Sequence, residues 1–400
     1  MSKIAVLGYG TIGSGVVEVL SLNKDRIKKT AGEEISVKYV LDIKDCKGTP
    51  AEKLVVHDIA RITEDPEVSI VVETMGGVKF AYPFVKQCLE AGKSVCTSNK
   101  ELVEKYGPEL IALAKEKGIQ FLFEASCGGG IPVIRALLTA YTADEIEEIS
   151  GILNGTTNFI LTKMLQEGAD YEDVLREAQE MGIAERNPEA DVEGHDPCRK
   201  IAILSSIVYG KNVEFEDIYT EGITGITDKD MAYVKALGSA VKLIASFTHK
   251  DGKYYAMVSP FVVSSKSPLY SVNGAYNAIF IHGNAVGDTM LYGSGAGMMQ
   301  TASAVVADVI SAARGTGETQ LIDWSHEKLA IDGIGSDRRC FLVRVSEEKI
   351  EEAKKIFDAP DVIRAEGITG EAALVTAVMS EDEFKEKADK AGIISRLRIK

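Results

Sequence analysis

KIAVLGYGTIGSG, residues 3 to 15, decides how the first half of the chain is read. Residues 3 to 7 form a short apolar run of the kind a buried strand needs, and it leads directly into Gly8, Gly10 and Gly13. An amphipathic stretch from Ile12 to Leu22 follows. A G-x-G-x-x-G between a strand and a helix has a specific physical use. Gly8 permits the tight turn, Gly10 lets the backbone approach a pyrophosphate, and Gly13 lets helix and strand pack closely. The helix start then offers N–H groups and a positive dipole end to phosphates. A dinucleotide site is expected over Gly8, Gly10, Thr11, Ile12 and Gly13.

Working outward, apolar runs recur at 36–42, 69–73, 94–97 and 119–123, with helical periodicity at about 79–91 and 101–117. Such alternation marks a doubly wound parallel sheet, so residues 1–140 are read as a Rossmann-type α/β domain. Asp42 ends the second run, where a carboxylate can accept from an adenosine ribose. It comes later than the usual interval of about 20 residues, because the polar segment from Asn23 to Glu34 lengthens the connection. A carboxylate there favours NAD over NADP, although Lys44 offsets part of that preference. An ordinary strand-end aspartate is the other reading.

After about Thr139 the texture changes. Helical patterns at about 156–168, 171–181 and 197–209 and alternating strands from about 241 to 293 predict an α+β substrate and oligomerisation domain over 141–297. The small-residue helix from Met298 to Arg314 is expected to complete the first domain, over about 298–320. From Arg338 the order strand, helix, two strands, helix, strand is the ferredoxin-like pattern. Residues 335–400 are therefore expected to form a small third domain, hinged around Ile334 to Arg339.

A formal charge of −15, from 45 basic and 60 acidic residues, argues against a nucleic-acid partner. No apolar run reaches the roughly 18 residues of a membrane helix. The six cysteines are scattered, with no CxxC pair, so neither zinc nor a disulfide framework is indicated. A cytoplasmic chain with free thiols and no leader peptide is expected.

A fold of this type names no reaction; particular segments do. ETMGG (73–77), TSNK (97–100), EASCGGGIP (124–132), GILNGTTNFIL (151–161), ADVEGHDPCRKIAIL (190–204) and LYGSGAGMMQTASAVVADV (291–309) together resemble the homoserine dehydrogenases, in family order. The resemblance covers about four-fifths of the chain. It implies a nicotinamide-dependent interconversion of L-homoserine and aspartate 4-semialdehyde, in threonine, methionine and isoleucine biosynthesis.

Reducing an aldehyde needs a proton at oxygen, and a lysine ammonium can supply it. Lys200 matches the family's general acid and base; a cation so near a helix N-terminus is otherwise disfavoured. Asp196, four residues earlier, can share its face, or can cap the helix ahead of Pro197. Glu185 resembles the glutamate that holds the substrate amino group, and Lys100 the second active-site lysine. Asn154 either orients substrate or belongs to a helix start for which Thr156 or Thr157 is a natural cap.

Thr74, Met75, Gly76, Ser98, Gly182 and Gly295 fall where the family lines its cofactor. The resemblance also implies a monovalent cation, sodium or potassium, on Glu124 and the main-chain oxygens of Cys127, Gly129 and Ile131. A homodimer or homotetramer is expected.

Two rivals stand beside this reading. One is a phosphorylating semialdehyde dehydrogenase with Cys127 as nucleophile; the other is a non-catalytic nucleotide or amino-acid sensor. The tail resembles an ACT-type domain, but VSEEKIEEA stands where many such domains carry D-x-P-G-x-L. Feedback by threonine and dimer assembly both remain open for it.

Overall fold

The computed structural model describes all 400 residues and divides into two compact units. Unit 1 comprises Met1–Glu145, Ala202–Phe215 and Gly293–Leu329. In chain order it begins β1 (Ser2–Leu7), α1 (Thr11–Leu22), α2 (Lys24–Ala31), β2 (Ile35–Leu41), β3 (Val55–Val56), α3 (Ala60–Thr63), β4 (Val68–Glu73), α4 (Ala81–Glu90), β5 (Ser94–Thr97), α5 (Lys100–Lys117), β6 (Phe121–Leu122) and α6 (Val133–Thr139). The six strands are parallel and lie in the order β3-β2-β1-β4-β5-β6, that of a Rossmann sheet. Ile4, Ala5, Val6 and Leu7 are wholly buried, as a central parallel strand covered on both faces must be.

Unit 2 comprises Ile146–Ile201, Glu216–Tyr292 and Ala330–Lys400. Next in the chain come β7 (Ile146–Ile152), α7 (Gly155–Glu167), α8 (Tyr171–Glu180), α9 (Glu189–Val192), α10 (His195–Tyr209), β8 (Tyr219–Thr220), α11 (Asp228–Ala236), β9 (Ser239–Lys250), β10 (Lys253–Ser264), β11 (Tyr276–Gly283) and β12 (Gly287–Ser294). The chain then contributes α12 (Met298–Arg314) and α13 (Glu318–Leu321) to unit 1. A Cβ at Gly15 of α1 would stand 2.8 Å from Met298 and 3.1 Å from Ala302, so α12 lies directly on α1. Ala302, Val305 and Val309 join Ile4, Val6 and Val16 in one core.

The last stretch is β13 (Arg338–Arg339), β14 (Phe341–Ser346), α14 (Ile350–Phe357), β15 (Val362–Ile363), β16 (Glu371–Val375), β17 (Met379–Ser380), α15 (Glu381–Ala391) and β18 (Ser395–Ile399). Its strands do not make a free-standing sheet. The mixed sheet of unit 2 runs β12-β11-β7-β9-β10-β18-β14-β16-β15, with β8 also on β10. The final strand pairs with β10 in parallel through Phe261–Arg398 and Val262–Ile399, and with β14 antiparallel.

Arg398 is 1% exposed and its guanidinium donates to Glu221, Glu381 and Ser259. The segment around 334–339, expected as a hinge, is a 3-10 turn followed by β13 on β17, with Glu381 N–H donating to Asp337 O. No helix is long and apolar enough to cross a membrane.

Candidate active site

In unit 1 the glycine loop leaves β1 with Gly8 at φ +90°, its N–H on the Leu41 carbonyl. A Cβ at Gly13 would sit 2.0 Å from Gly8 O, which only glycine avoids. Gly10 is the opposite case: a Cβ there meets nothing within 4 Å, leaving space for a bulky group above the backbone. No side chain caps α1, so its first N–H groups keep their capacity for a phosphate. This cradle fits a dinucleotide pyrophosphate. Asp42 clasps the loop, accepting the Tyr9 N–H at 2.7 Å and the Lys44 N–H at 2.9 Å.

The ETMGG and TSNK segments meet at the carboxyl edge of the same sheet. Thr74 Oγ1 donates to Gly8 O at 2.9 Å, and Thr97 Oγ1 donates to the buried Glu73 carboxylate. Asn99 caps α5 by accepting the Leu102 N–H and donates to Gly77 O at 2.6 Å. Ser98 and Lys100 flank that cap, both half-buried, with Lys100 the first residue of α5. Gly295 packs on the loop before α6: a Cβ at Gly129 would stand 2.5 Å from it, and Gly130 N–H donates to Ser294 O.

Glu124 does something other than expected. Its two carboxylate oxygens accept the Ile134 and Arg135 N–H groups at 2.8 and 2.7 Å, so it caps α6. The Ile131 carbonyl likewise accepts the Val133 N–H at 2.9 Å. A hard cation wants several oxygen lone pairs at once, and two of the four expected donors already serve backbone N–H groups. Glu124 keeps about two further acceptor sites and the Ile131 carbonyl about one. Cys127 is wholly buried, which does not suit a nucleophile that must reach substrate.

In unit 2, α10 begins at His195, and Gly194 O accepts the Cys198 N–H at 3.1 Å. The Asp196 side chain is therefore not the cap. It points along the helix, and Lys200 Nζ donates to its Oδ2 at 2.8 Å, an i,i+4 pair with side chains 10% and 7% exposed. Lys200 Nζ also donates to Leu153 O at 2.8 Å.

Asn154, rather than Thr156 or Thr157, caps α7: its Oδ1 accepts the Thr157 N–H. That bond turns Nδ2 outward, where it donates to Asp196 Oδ2 at 2.9 Å and Asp191 Oδ1 at 2.7 Å. Burial, then the adjacent Asp196 charge, hold Asp191 above the ordinary carboxylate range. Asp191 is not among the residues expected from sequence, although it is one of two further carboxylates beside Asp196 in ADVEGHDPCRK.

The structure thus gathers Lys200, Asp196 and Asn154 into one cluster. It does not gather Glu185, which sits exposed in the loop after α8 with no bond from its carboxylate to that cluster. Gly182, at φ +72°, opens the same loop.

A phosphate-ready glycine loop on a parallel sheet, in a chain that also buries a lysine–carboxylate pair on a helix, defines a nicotinamide-dependent oxidoreductase. Comparison with known proteins narrows the class. The model for the homoserine dehydrogenase family matches residues 132–310, and that for its NAD-binding domain matches residues 8–124. Homoserine dehydrogenase from Bacillus subtilis is 42% identical over 77% of this chain and 72% of its own length.

A homoserine dehydrogenase from Thiobacillus denitrificans superposes with a TM-score of 0.91 at 34% identity, covering 100% of this chain and 98% of its own. A hyperthermophilic archaeal homoserine dehydrogenase in complex with NADPH reaches 0.66 at 30% identity, over 78% of this chain and 97% of its own. The chain belongs to the homoserine dehydrogenase family.

Proposed function

We propose that Lys200 is the proton donor and acceptor of this NAD(P)-dependent interconversion of L-homoserine and L-aspartate 4-semialdehyde. The observation that carries the proposal is the buried ammonium held at 2.8 Å by both Asp196 and the Leu153 carbonyl. Towards homoserine, Lys200 gives a proton to the oxygen that becomes the hydroxyl; towards the semialdehyde it takes that proton back. Asp196 and Asn154 hold the lysine in place, and Asp191 steadies Asn154. Glu185 binds the substrate amino group and Lys100 its carboxylate or carbonyl oxygen. A bound nicotinamide supplies or accepts the hydride. Gly8, Gly10, Thr11, Ile12, Gly13, Thr74, Met75, Gly76, Ser98, Lys100, Gly182 and Gly295 line its site. Lys200→Arg keeps the charge but will not give up a proton near neutral pH. Its kcat should fall by at least about 10² with cofactor binding unchanged.

Asp42 uses two lone pairs on backbone N–H groups, and a carboxylate has about four such acceptor sites. The remainder suit ribose hydroxyls and repel a 2′-phosphate, so NAD should serve at least as well as NADP. Comparing kcat/KM for the two cofactors checks this; a preference for NADP of about a hundredfold, roughly 2.7 kcal/mol, would reject the role of Asp42. No step is assigned to a monovalent cation. The C-terminal lobe is read as ACT-type from the order β14, α14, β15, β16, α15, β18, with β13 and β17 paired apart from it, and the enzyme as a cytoplasmic homodimer or homotetramer.

A further inference from the structure

Lys242 stands within β9 with 1% of its surface exposed. Its ammonium donates to Asn158 Oδ1 at 3.1 Å, to Asn273 Oδ1 at 2.9 Å and to the Val272 carbonyl. All three acceptors are neutral, and burial without a counter-ion pushes the lysine down to about 8. A buried, uncompensated cation is costly, and an apolar side chain of similar volume would avoid that cost. Stability alone therefore does not account for a lysine at this position.

What the ammonium joins is informative. Asn158 lies in the first turn of α7, while Val272 and Asn273 belong to the segment that leads into β11. Asn158 Nδ2 donates to Val272 O at 3.1 Å and Tyr276 O at 2.9 Å, and Gly274 N–H donates to Thr162 Oγ1. A Cβ at Gly155 would stand 2.8 Å from Ala275 O, so helix start and segment touch without room for a side chain. Asn154, one turn before Asn158, caps the same helix and turns its amide to Asp191 and Asp196.

We propose that Lys242 is a positioning residue for the reaction. Its ammonium clamps residues 272–276 onto the first turn of α7 and so fixes the direction in which Asn154 presents its amide to Asp196 beside Lys200. Lys242 acts through Asn158 and Asn154. The proposal rests on the roles given above to Asp196 and Lys200.

The test is a double-mutant cycle on kcat, with the KM for homoserine, a cofactor titration and Tm measured on each variant. Lys242→Met should lower kcat about tenfold, as misplacement of a catalytic group does, with NAD binding unchanged. Combined with Asn154→Ala it should be no slower than Asn154→Ala alone, to within about twofold, because both act through one amide. A folded Lys242→Met that loses less than about threefold in kcat, or whose loss multiplies with that of Asn154→Ala, overturns the proposal.

Should Lys242→Met not fold, Asn273→Ala removes one acceptor from an exposed residue. A kcat loss of about threefold that vanishes in the Asn154→Ala background supports the clamp; no loss, or one that persists there, overturns it. An active Lys200→Ala would instead reject the reading of Lys200. An active Lys242→Met beside an inactive Lys200→Ala rejects the clamp alone.

Discussion

Arg135 in unit 1 and Lys200 in unit 2 are both cations set among carboxylates, and the two clusters do different work. Arg135 donates to Asp308 at 2.7 Å and Glu318 at 3.4 Å and lies 3.8 Å from Glu124. Three carboxylates around one guanidinium leave an excess of negative charge. Burial, reinforced by Glu124, pushes Asp308 up to about 8 against the pull of Arg135. Glu124 is raised as well, chiefly by burial. A guanidinium cannot release its proton in a protein, and its bonds fasten α6, α12 and α13 together. The Lys200 cluster holds an amine that can exchange a proton, beside Asp196 and an amide that orients it. The lesson is that burial and charge pairing alone do not mark a catalytic site; the chemical type of the cation matters as well.

The comparison can be broken from the unit 1 side. Arg135→Met strands three carboxylates and should destabilise the protein by about 3 kcal/mol, the low end for a broken buried pair, because the guanidinium keeps 28% exposure. Chemical denaturation would measure the loss, and kcat of the protein that remains folded should stay near wild type. A normal stability with collapsed kcat would reverse the roles of the two clusters.

A second effect separates the units by pH. Asp308 is raised in the folded state, so its favourable contribution is present at low pH and is lost as pH rises through about 8. Lys242 is lowered from 10.5 to about 8, so its contribution is lost as pH falls through about 8 and is restored above 10.5. Stability should thus fall between about pH 4 and 8 in wild type, and less so in Asp308→Asn. Between about pH 8 and 10.5 the Lys242 contribution should rise, and Lys242→Met should lack that rise. Denaturant midpoints across pH would show both differences, and a variant whose slope runs parallel to that of wild type in its window would contradict the assignment.

Features that depend on near neighbours along the chain are legible in the sequence itself. Gly8, Gly10 and Gly13 belong to one turn, and Asp196 and Lys200 share a helical face by spacing alone. What is not legible depends on distant chain. The expectation of a third domain includes the final strand but not its pairing, because nothing local signals that residues 395–399 will pair with β10. The capping of α6 by Glu124 is likewise not legible, because the N–H groups it accepts stand ten and eleven residues further on. Lys242 reads as one polar residue in an alternating strand, since its three acceptors come from α7 and the segment before β11.

The central claim is that Lys200 moves the proton, and steady-state kinetics of Lys200→Ala with a parallel cofactor titration tests it most directly. The expected result is a kcat lower by at least about 10², the usual loss for a missing acid–base group. NAD affinity should be unchanged, because the glycine loop at residues 8–13 belongs to the other unit. A variant that keeps more than about a third of wild-type kcat would contradict the claim and move the role to Lys100.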